Sequence, residues 1–478
     1  MKRANKVAII ILIILITATG CKNMDLENKE DPNIDEDGQT NGEDVNVTEE
    51  QKVMNKFLDM INPETTADDL GAYIRENISY VNEKHAEEMI QWLTIYQTEA
   101  INEFNEKISE PSYLDVLIED MEWVLDESKI ENIENKEVKQ DYQNLIDGYL
   151  TIVRYQETPV VETDWKALSK LSDYVSDDVG EVLVLYQKIQ NYEYERAKLD
   201  VKGIMEDMIK TESILEKHKS GFINTMANKI YNLQTYSLLV GSEGINLELF
   251  FGKNGKAYEE IIRKKDENPN TLTGKMIDDL EKRDYKEVWE VYDAIVENLK
   301  FGITSNNYIT NKEFKKDNKE YNIFQIVMKD NEEKQNRIND IIEKDTDDYI
   351  SKLEDKDELI ISVDSTFQGD QYLSYDGFVN YPNKNYYDNQ EVLSLYRTFD
   401  YVNEKYIKLE DYLGVDFNEL KDYLESIKGI KINSSPEFQL SDRGIVLIIE
   451  GAEGIEKYIQ LSKKDLVPYL KLEQLINK

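Results

Sequence analysis

From Gln51 the chain repeats apolar residues at steps of three and four. Ile90, Leu93, Gln97, Ile101, Phe104 and Ile108 share one stripe, and Pro111 ends the run. That spacing follows the 3.6-residue turn and predicts an amphipathic helix. Ser112 and Asp115 have capping-box spacing ahead of Leu114, Leu117, Ile118, Met121 and Leu125. Val138, Tyr142, Leu145, Tyr149 and Ile152 keep the same period, and Asp164 is placed to cap a short helix through Trp165, Leu168 and Leu171. A long helix is expected after Asp177 or Asp178, carrying Val182, Tyr186, Ile189, Ala197, Val201, Ile204, Met208 and Leu215. Gly221 interrupts it and Phe222 to Leu239 resumes. Beyond a loop marked by Gly241, Gly244, Gly252 and Gly255, one further helix is expected through Ile277, Leu280, Val288, Tyr292, Ile295 and Leu299. The last is expected from Ile323 through Val327, Ile338, Ile341 and Tyr349 to Leu353. About eight helices with short connections predict an all-α bundle over 51–355.

After Asp355 the period shifts towards two. Leu359 to Phe367, with Ile360, Ile361 and Val363, reads as a strand, and Val392 to Tyr401 alternates through Leu393, Leu395, Arg397 and Phe399. Val402 to Lys405 reads as a turn. Asp416 caps a helix with Phe417, Leu420, Leu424 and Ile427. Gly444 to Glu450 and Lys457 to Leu461 are further strands, and Lys464 to Ile476 a closing helix. The expected fold is therefore mainly α: an all-α bundle followed by a small α+β domain over 356–478 with a mostly antiparallel sheet.

The front of the chain is different. Lys2, Arg3 and Lys6 precede an unbroken apolar run from Val7 to Ile16. At about ten residues it is short for the ~30 Å of a bilayer core, so it reads as the apolar part of a signal peptide. Thr17, Ala18, Thr19 and Gly20 then lead to Cys21, the only cysteine. This resembles the bacterial lipoprotein signal, with Ala18 where that pattern usually has Leu. The resemblance implies removal of residues 1–20, lipidation of Cys21, and a membrane anchor on the outer face of the cell membrane. Two acyl chains hold stably where one is marginal. Residues 21–50 then form the lipidated cysteine and an acidic tether without hydrophobic periodicity. Asn33, Asp35, Asp37, Gly38 and Asp44 are spaced somewhat like a calcium loop, but position one is not Asp and position twelve is not Glu, so a solvated spacer is expected.

Charge narrows the partners. With 57 Lys and Arg against 97 Asp and Glu, the net charge is −40. This disfavours nucleic acid, whose binding rests on basic residues neutralising phosphates. It favours solubility and cationic partners. Without a second cysteine there is no disulfide, and with Cys21 lipidated no thiolate chemistry. The only histidines are His85 and His218; lone helical histidines are mostly surface or satisfied core residues. No cofactor and no metal site is expected, and the remaining chemistry belongs to carboxylates. Glu87-Glu88 and Asp177-Asp178 are indistinguishable from solvated helix faces.

Three segments carry a second resemblance. Phe399-Asp400-Tyr401, a turn and Ile407-Lys408-Leu409-Glu410-Asp411-Tyr412-Leu413 form one. Glu437 to Val446 form another, and Tyr458-Ile459-Gln460-Leu461 with Asp465-Leu466 the third. They resemble the extracellular C-terminal domain of the anti-sigma factor RsiV and of the peptidoglycan deacetylase PdaC, over roughly the last quarter of the chain. The Gly-Gly-Ala-His segment common there is replaced by Tyr372 to Asn389. The resemblance implies an envelope binding or sensing module rather than an enzyme.

Tyr372, Tyr375, Tyr381, Tyr386 and Tyr387, interleaved with Gly and Asn, are the expected ligand-binding residues, since rigid rings beside adaptable amides suit a glycan or a protein surface. Trp92, Trp123, Trp165 and Trp289 are expected in cores. The function expected is a lipid-anchored, non-enzymatic module that contacts peptidoglycan or a cationic protein. The alternatives are a carboxylate-dependent cell-wall hydrolase and a transporter-associated solute receptor. The latter lacks the alternating βαβ pattern of two-lobed binding proteins.

Overall fold

A computed structural model describes residues 48–155, 158–194, 200–239, 258–284, 291–292, 307–316, 319–328, 331–351, 359–368, 371–380, 395–441, 443–450 and 456–476. Thr48–Lys478 is one unit. It opens with α1 (Glu49–Met60), started by a capping box between Thr48 and Gln51, and α2 (Ala67–Asn77). The long α3 (Glu83–Lys107) runs past α2 and one strand of a hairpin. Then come α4 (Pro111–Glu119), α5 (Glu127–Ile130) and α6 (Lys136–Asp147). α4 starts on Pro111 with no side-chain cap, so the Ser112–Asp115 capping box does not form. Proline at the first helical position loses nothing, because that N–H has no helical partner anyway.

The hairpin β1 (Leu150–Tyr155) and β2 (Thr158–Thr163) comes directly after α6. It is the first correction to the expected all-α bundle. The helical repeat through Tyr149 and Ile152 fails because Tyr149 takes a left-handed φ of 55° and turns the chain out of α6. The β-branched run beyond it then pairs antiparallel with β2. Gln97, buried on α3, fixes this corner: its amide donates to Gly148 O (2.8 Å) and Tyr149 O (3.1 Å) and accepts from Thr163 Oγ1.

Next are α7 (Trp165–Leu168, capped by Asp164), α8 (Asp177–Tyr194), α9 (Val201–Lys217), α10 (Gly221–Leu239), α11 (Tyr258–Glu267) and α12 (Leu272–Lys282). Buried Glu212 of α9 ties three of these together. Its carboxylate accepts from Leu272 N and Thr273 N at the start of α12, both at 2.6 Å, and from the Tyr231 hydroxyl of α10 at 3.0 Å. A carboxylate there satisfies the orphan N–H groups of α12 and complements its dipole.

The larger correction lies between Asn307 and Tyr406. β3 (Asn307–Lys316) and β4 (Lys319–Met328) pair antiparallel inside the stretch expected as all-α, β4 taking up the start of the helix expected from Ile323. Ile323, Phe324, Ile326 and Val327 satisfy a helical period, but as β-branched and aromatic residues they also suit a strand. The helix begins only at α13 (Glu332–Ile350), capped by Asn331. α13 returns the chain to β5 (Ile360–Gln368), which lies parallel to β4. β6 (Tyr372–Asn380), β7 (Leu395–Asp400) and β8 (Lys405–Tyr406) continue antiparallel, giving a six-stranded mixed sheet in order β3-β4-β5-β6-β7-β8. The fold is thus a broad α+β mixture, not a helical bundle with a small sheet appended. β5 pairs with β4 only from Glu320 to Ile323. Beyond that, Asn339 of α13 bonds Ile326 N and O (both 2.8 Å), and Gln335 accepts from Met328 N. The helix therefore serves the strand edge that β5 leaves open.

The chain closes with α14 (Leu409–Leu413), α15 (Phe417–Lys428, capped by Asp416), β9 (Glu437–Ser441), β10 (Gly444–Glu450), β11 (Glu456–Ser462), α16 (Lys463–Leu466) and α17 (Leu472–Ile476). The single closing helix expected over 464–476 is two short ones. β11-β10-β9 is an antiparallel sheet of its own. Its apolar side, with α14 to α17, shares one core with α1 to α3 and α8 to α12. A second core lies between the six-stranded sheet and α13. A third joins α4 to α6 with the hairpin. Trp92 is buried in the first and Trp165 stacks on Tyr186 beside it, while Trp123 borders the third; Trp289 lies outside the described residues.

Candidate functional site

The two larger sheets meet at β6 and β7, and this junction gathers the unusual chemistry. Alternation sends Leu373, Tyr375, Gly377 and Val379 of β6 towards the α13 core. Tyr372, Ser374 and Asp376 go to the other face. On that second face β9 stands edge-on. Ser374 Oγ accepts from Leu440 N (2.8 Å), and Thr398 Oγ1 of β7 donates to Phe438 O (2.7 Å). The two hydroxyls lie 3.0 Å apart, both buried. Two side chains thus take the place of a neighbouring strand for the outer edge of β9. Thr398→Val keeps the volume and leaves Phe438 O without this donor. We expect a loss of about 1–3 kcal/mol in urea unfolding, against little change for Thr158→Val at an exposed position of β2.

Asp400, at the end of β7, explains the aromatic-Asp-turn segment. Its Oδ1 accepts from Val402 N (3.0 Å) and Asn403 N (2.8 Å), and its Oδ2 from Asn403 Nδ2 (2.7 Å) and Gln371 Nε2 (2.8 Å). Burial alone raises its pKa, but these four donors outweigh it and hold the carboxyl below its ordinary value. The residue is a turn organiser.

Asp376 behaves in the opposite way. Directly across from it on β5 is Asp364. Burial and the Asp364 charge push the Asp376 carboxyl up to about 6. Over it lies Gln439 of β9, 8 % exposed. Its Nε2 is buried without a hydrogen-bond partner, and its amide is near enough to Asp376 to offset part of that rise. Among the described residues no cation pairs with either carboxylate.

The expected tyrosine site divides. Tyr375 is fully buried in the α13 core, its hydroxyl 2.7 Å from that of Tyr406 and donating to Asp345 (3.3 Å). Burial raises its pKa well above the ordinary value. Tyr372, on the opposite face, is partly exposed and meets Tyr412 edge-on at 5.2 Å. The strand therefore separates these two rings. Tyr381, Tyr386 and Tyr387 lie outside the described residues, as do Cys21 and the acidic tether up to residue 47; Thr48 to Glu50, expected as its end, instead cap and open α1. An exposed ring is found instead at Tyr458 of β11, whose hydroxyl is bonded to that of Tyr396. Beside it Arg397 pairs with Glu437.

Both histidines sit against carboxylates, His85 Nδ1 2.7 Å from Glu50 and His218 Nε2 2.8 Å from Asp178. Among the described residues, no group of three acidic, histidine or cysteine side chains could hold a metal ion, and no helix is long and apolar enough to cross a membrane. Asp364, Asp376 and Gln439 carried one faint sequence signal: each is a polar residue inside an alternating apolar strand. Which of them face each other depends on strand register, which the sequence does not state. Searches against protein-family models and curated proteins find no match to the chain.

Proposed function

We propose that this protein is a lipid-anchored lipoprotein on the outer face of the cell membrane, a non-enzymatic module that binds peptidoglycan or a cationic protein at the cell envelope. One observation carries the reading. The three segments that resemble the RsiV and PdaC extracellular domain fall on β7 to α14, on β9 and β10, and on β11 with α16. These are neighbours about one junction, bonded through Thr398, Ser374 and the Tyr396–Tyr458 pair. The location rests on the signal-like run before Cys21. In this reading the acidic stretch that follows Cys21 links the anchor to the body.

The test has two arms. Wild-type chain fractionates with membranes, and Cys21→Ala is released from them. The soluble chain from Thr48 onward pellets with purified peptidoglycan sacculi, or with a cationic muramidase used as bait, and frees no muropeptides. Failure to bind either probe sinks the binding module. Release of muropeptides sinks the non-enzymatic reading and favours the hydrolase. For that chemistry Asp364 and Asp376 are the best-placed pair, since a glycosidase needs two nearby carboxyls with one pKa raised; Asp364→Asn would then abolish release.

A further inference from the structure

We propose that the tip formed by α4, the turn after it and α5 is a docking surface for a basic, amphipathic segment of a partner protein. This deepens the cationic-partner reading above and rests on it. Charge, apolar surface and backbone geometry meet at this tip.

Residues 110–134 hold nine Asp and Glu against a single base, Lys129, a net charge of −8. At the average of the whole chain, −40 over 478 residues, a stretch of this length would carry about −2. Eight of the nine acids are exposed. Lys129 is already engaged, 3.4 Å from Glu122. Like charges crowded on one small lobe repel one another, and cations brought up to them relieve that repulsion.

The same lobe carries exposed apolar side chains. Val124 is 63 % exposed and Ile118 40 %. They belong to one patch. Trp123 N donates to Leu117 O (2.8 Å), and Val124 and Ile118 each follow one member of that bonded pair. The other face of α4, through Tyr113 and Leu117, is buried in the third core. Single apolar residues scattered over a surface are ordinary. These two meet beside Asp115, Glu119, Asp120 and Glu122, an apolar centre with a charged border.

The backbone fixes the arrangement. Glu122 and Trp123 have φ of 56° and 68°, and Val124 N donates to Met121 O (3.1 Å). Two central residues with positive φ, closed by that bond, are the signature of a type I′ turn, which favours Asn and Gly. Glu and Trp adopt it at some cost in stability. What the turn achieves is placement. The Trp123 ring packs on the third core, with the Arg154 guanidinium of β1 4.7 Å over it, while Val124 projects. An apolar group already held in place needs little ordering when a partner covers it. Lysines or arginines suit the acids, and an apolar side chain between them suits Val124 and Ile118. An anionic partner would be repelled.

The test uses the unit that begins at Thr48, with a cationic muramidase as the probe. Affinity and rates are measured at about 50 and about 300 mM NaCl. Wild type is expected to bind, and at least about 10-fold more weakly at the higher salt. Val124→Ser should bind about 5-fold more weakly, through faster dissociation. Asp115→Lys with Glu119→Lys, one turn apart on α4, should bind at least about 10-fold more weakly, through slower association. The same reversal at Asp59 and Glu76, exposed acids of α1 and α2, should stay within about 2-fold of wild type. All five side chains are exposed, so folding is preserved. Equal weakening by the α4 reversal and the control means that only overall charge counts; it overturns the proposal and leaves a cationic partner in place. Unchanged binding of Val124→Ser overturns the apolar anchor and the proposal with it. Failure of wild type to bind the muramidase removes both the proposal and the cationic-partner reading.

Discussion

Glu212→Ala is expected to destabilise the protein by about 3–5 kcal/mol, placing it among the most damaging single truncations of this fold. The reason is the number of donors one buried carboxylate serves. Leu272 N, Thr273 N and the hydroxyls of Tyr231 and Thr273 all converge on it. Removing it leaves two N–H groups at the head of α12 and the fully buried Tyr231 hydroxyl short of acceptors, and opens a void between α9, α10 and α12. Each unsatisfied buried donor costs about 1–3 kcal/mol. Burial and the Glu212 charge together raise the Tyr231 pKa well above its ordinary value, so the phenol stays a donor at any working pH. Glu212→Gln keeps the shape but turns one acceptor into a donor, and should fall between wild type and Glu212→Ala. Urea midpoints at constant slope would show this. A Glu212→Ala midpoint close to wild type would mean that α12 finds its acceptors elsewhere.

The second large effect belongs to a missing side chain. Gly71 of α2 crosses the end of α6, and a Cβ built there would lie 2.0 Å from Asp147 O. The obstacle is backbone, so no rotamer change relieves it. Gly71→Ala must push α2 from the α6–β1 corner. That corner is also gripped by Arg75, which donates to Asp147 Oδ1 (2.8 Å) and Ile146 O (3.2 Å). Overpacking of this kind costs typically 1–3 kcal/mol, and a backbone obstacle puts the expectation at about 3. Gly414→Ala is the contrast. Gly414 has a φ of 70° but nothing within 4 Å of a built Cβ. It tests conformation without crowding and should cost about 1 kcal/mol. Equal losses for the two would remove the crowding argument.

How much of this was legible in the sequence depends on whether the deciding contact is local. Asp164 and Asp416 announce helix starts because a cap acts within three residues, and Pro111 marks the break after the α3 stripe because it cannot sit inside a helix. The strands β5, β10 and β11 are legible through their apolar alternation. The pair β3 and β4 is not, since Ile323, Phe324, Ile326 and Val327 satisfy both periods. The choice falls to pairing with β5 and to Asn339 of α13, thirteen residues from Ile326 along the chain. The tyrosine-rich stretch illustrates the same limit. Composition marks Tyr372 and Tyr375 as a set, but a strand sends residues three apart to opposite faces. Asp364 and Asp376 are ordinary acids among 97 until register sets them opposite each other.

The core shared by the first helices and the last ones also bears on how the chain is made. Leu466, Leu470 and Leu475 complete the packing begun by α1 to α3, and α17 lies against both α3 and α10. A chain emerging from its N-terminus cannot seal that core until residues 466–475 are out. Until they are in place, α3 presents an uncovered apolar stripe, so the first helices and the last form one cooperative unit in which neither end is stable without the other.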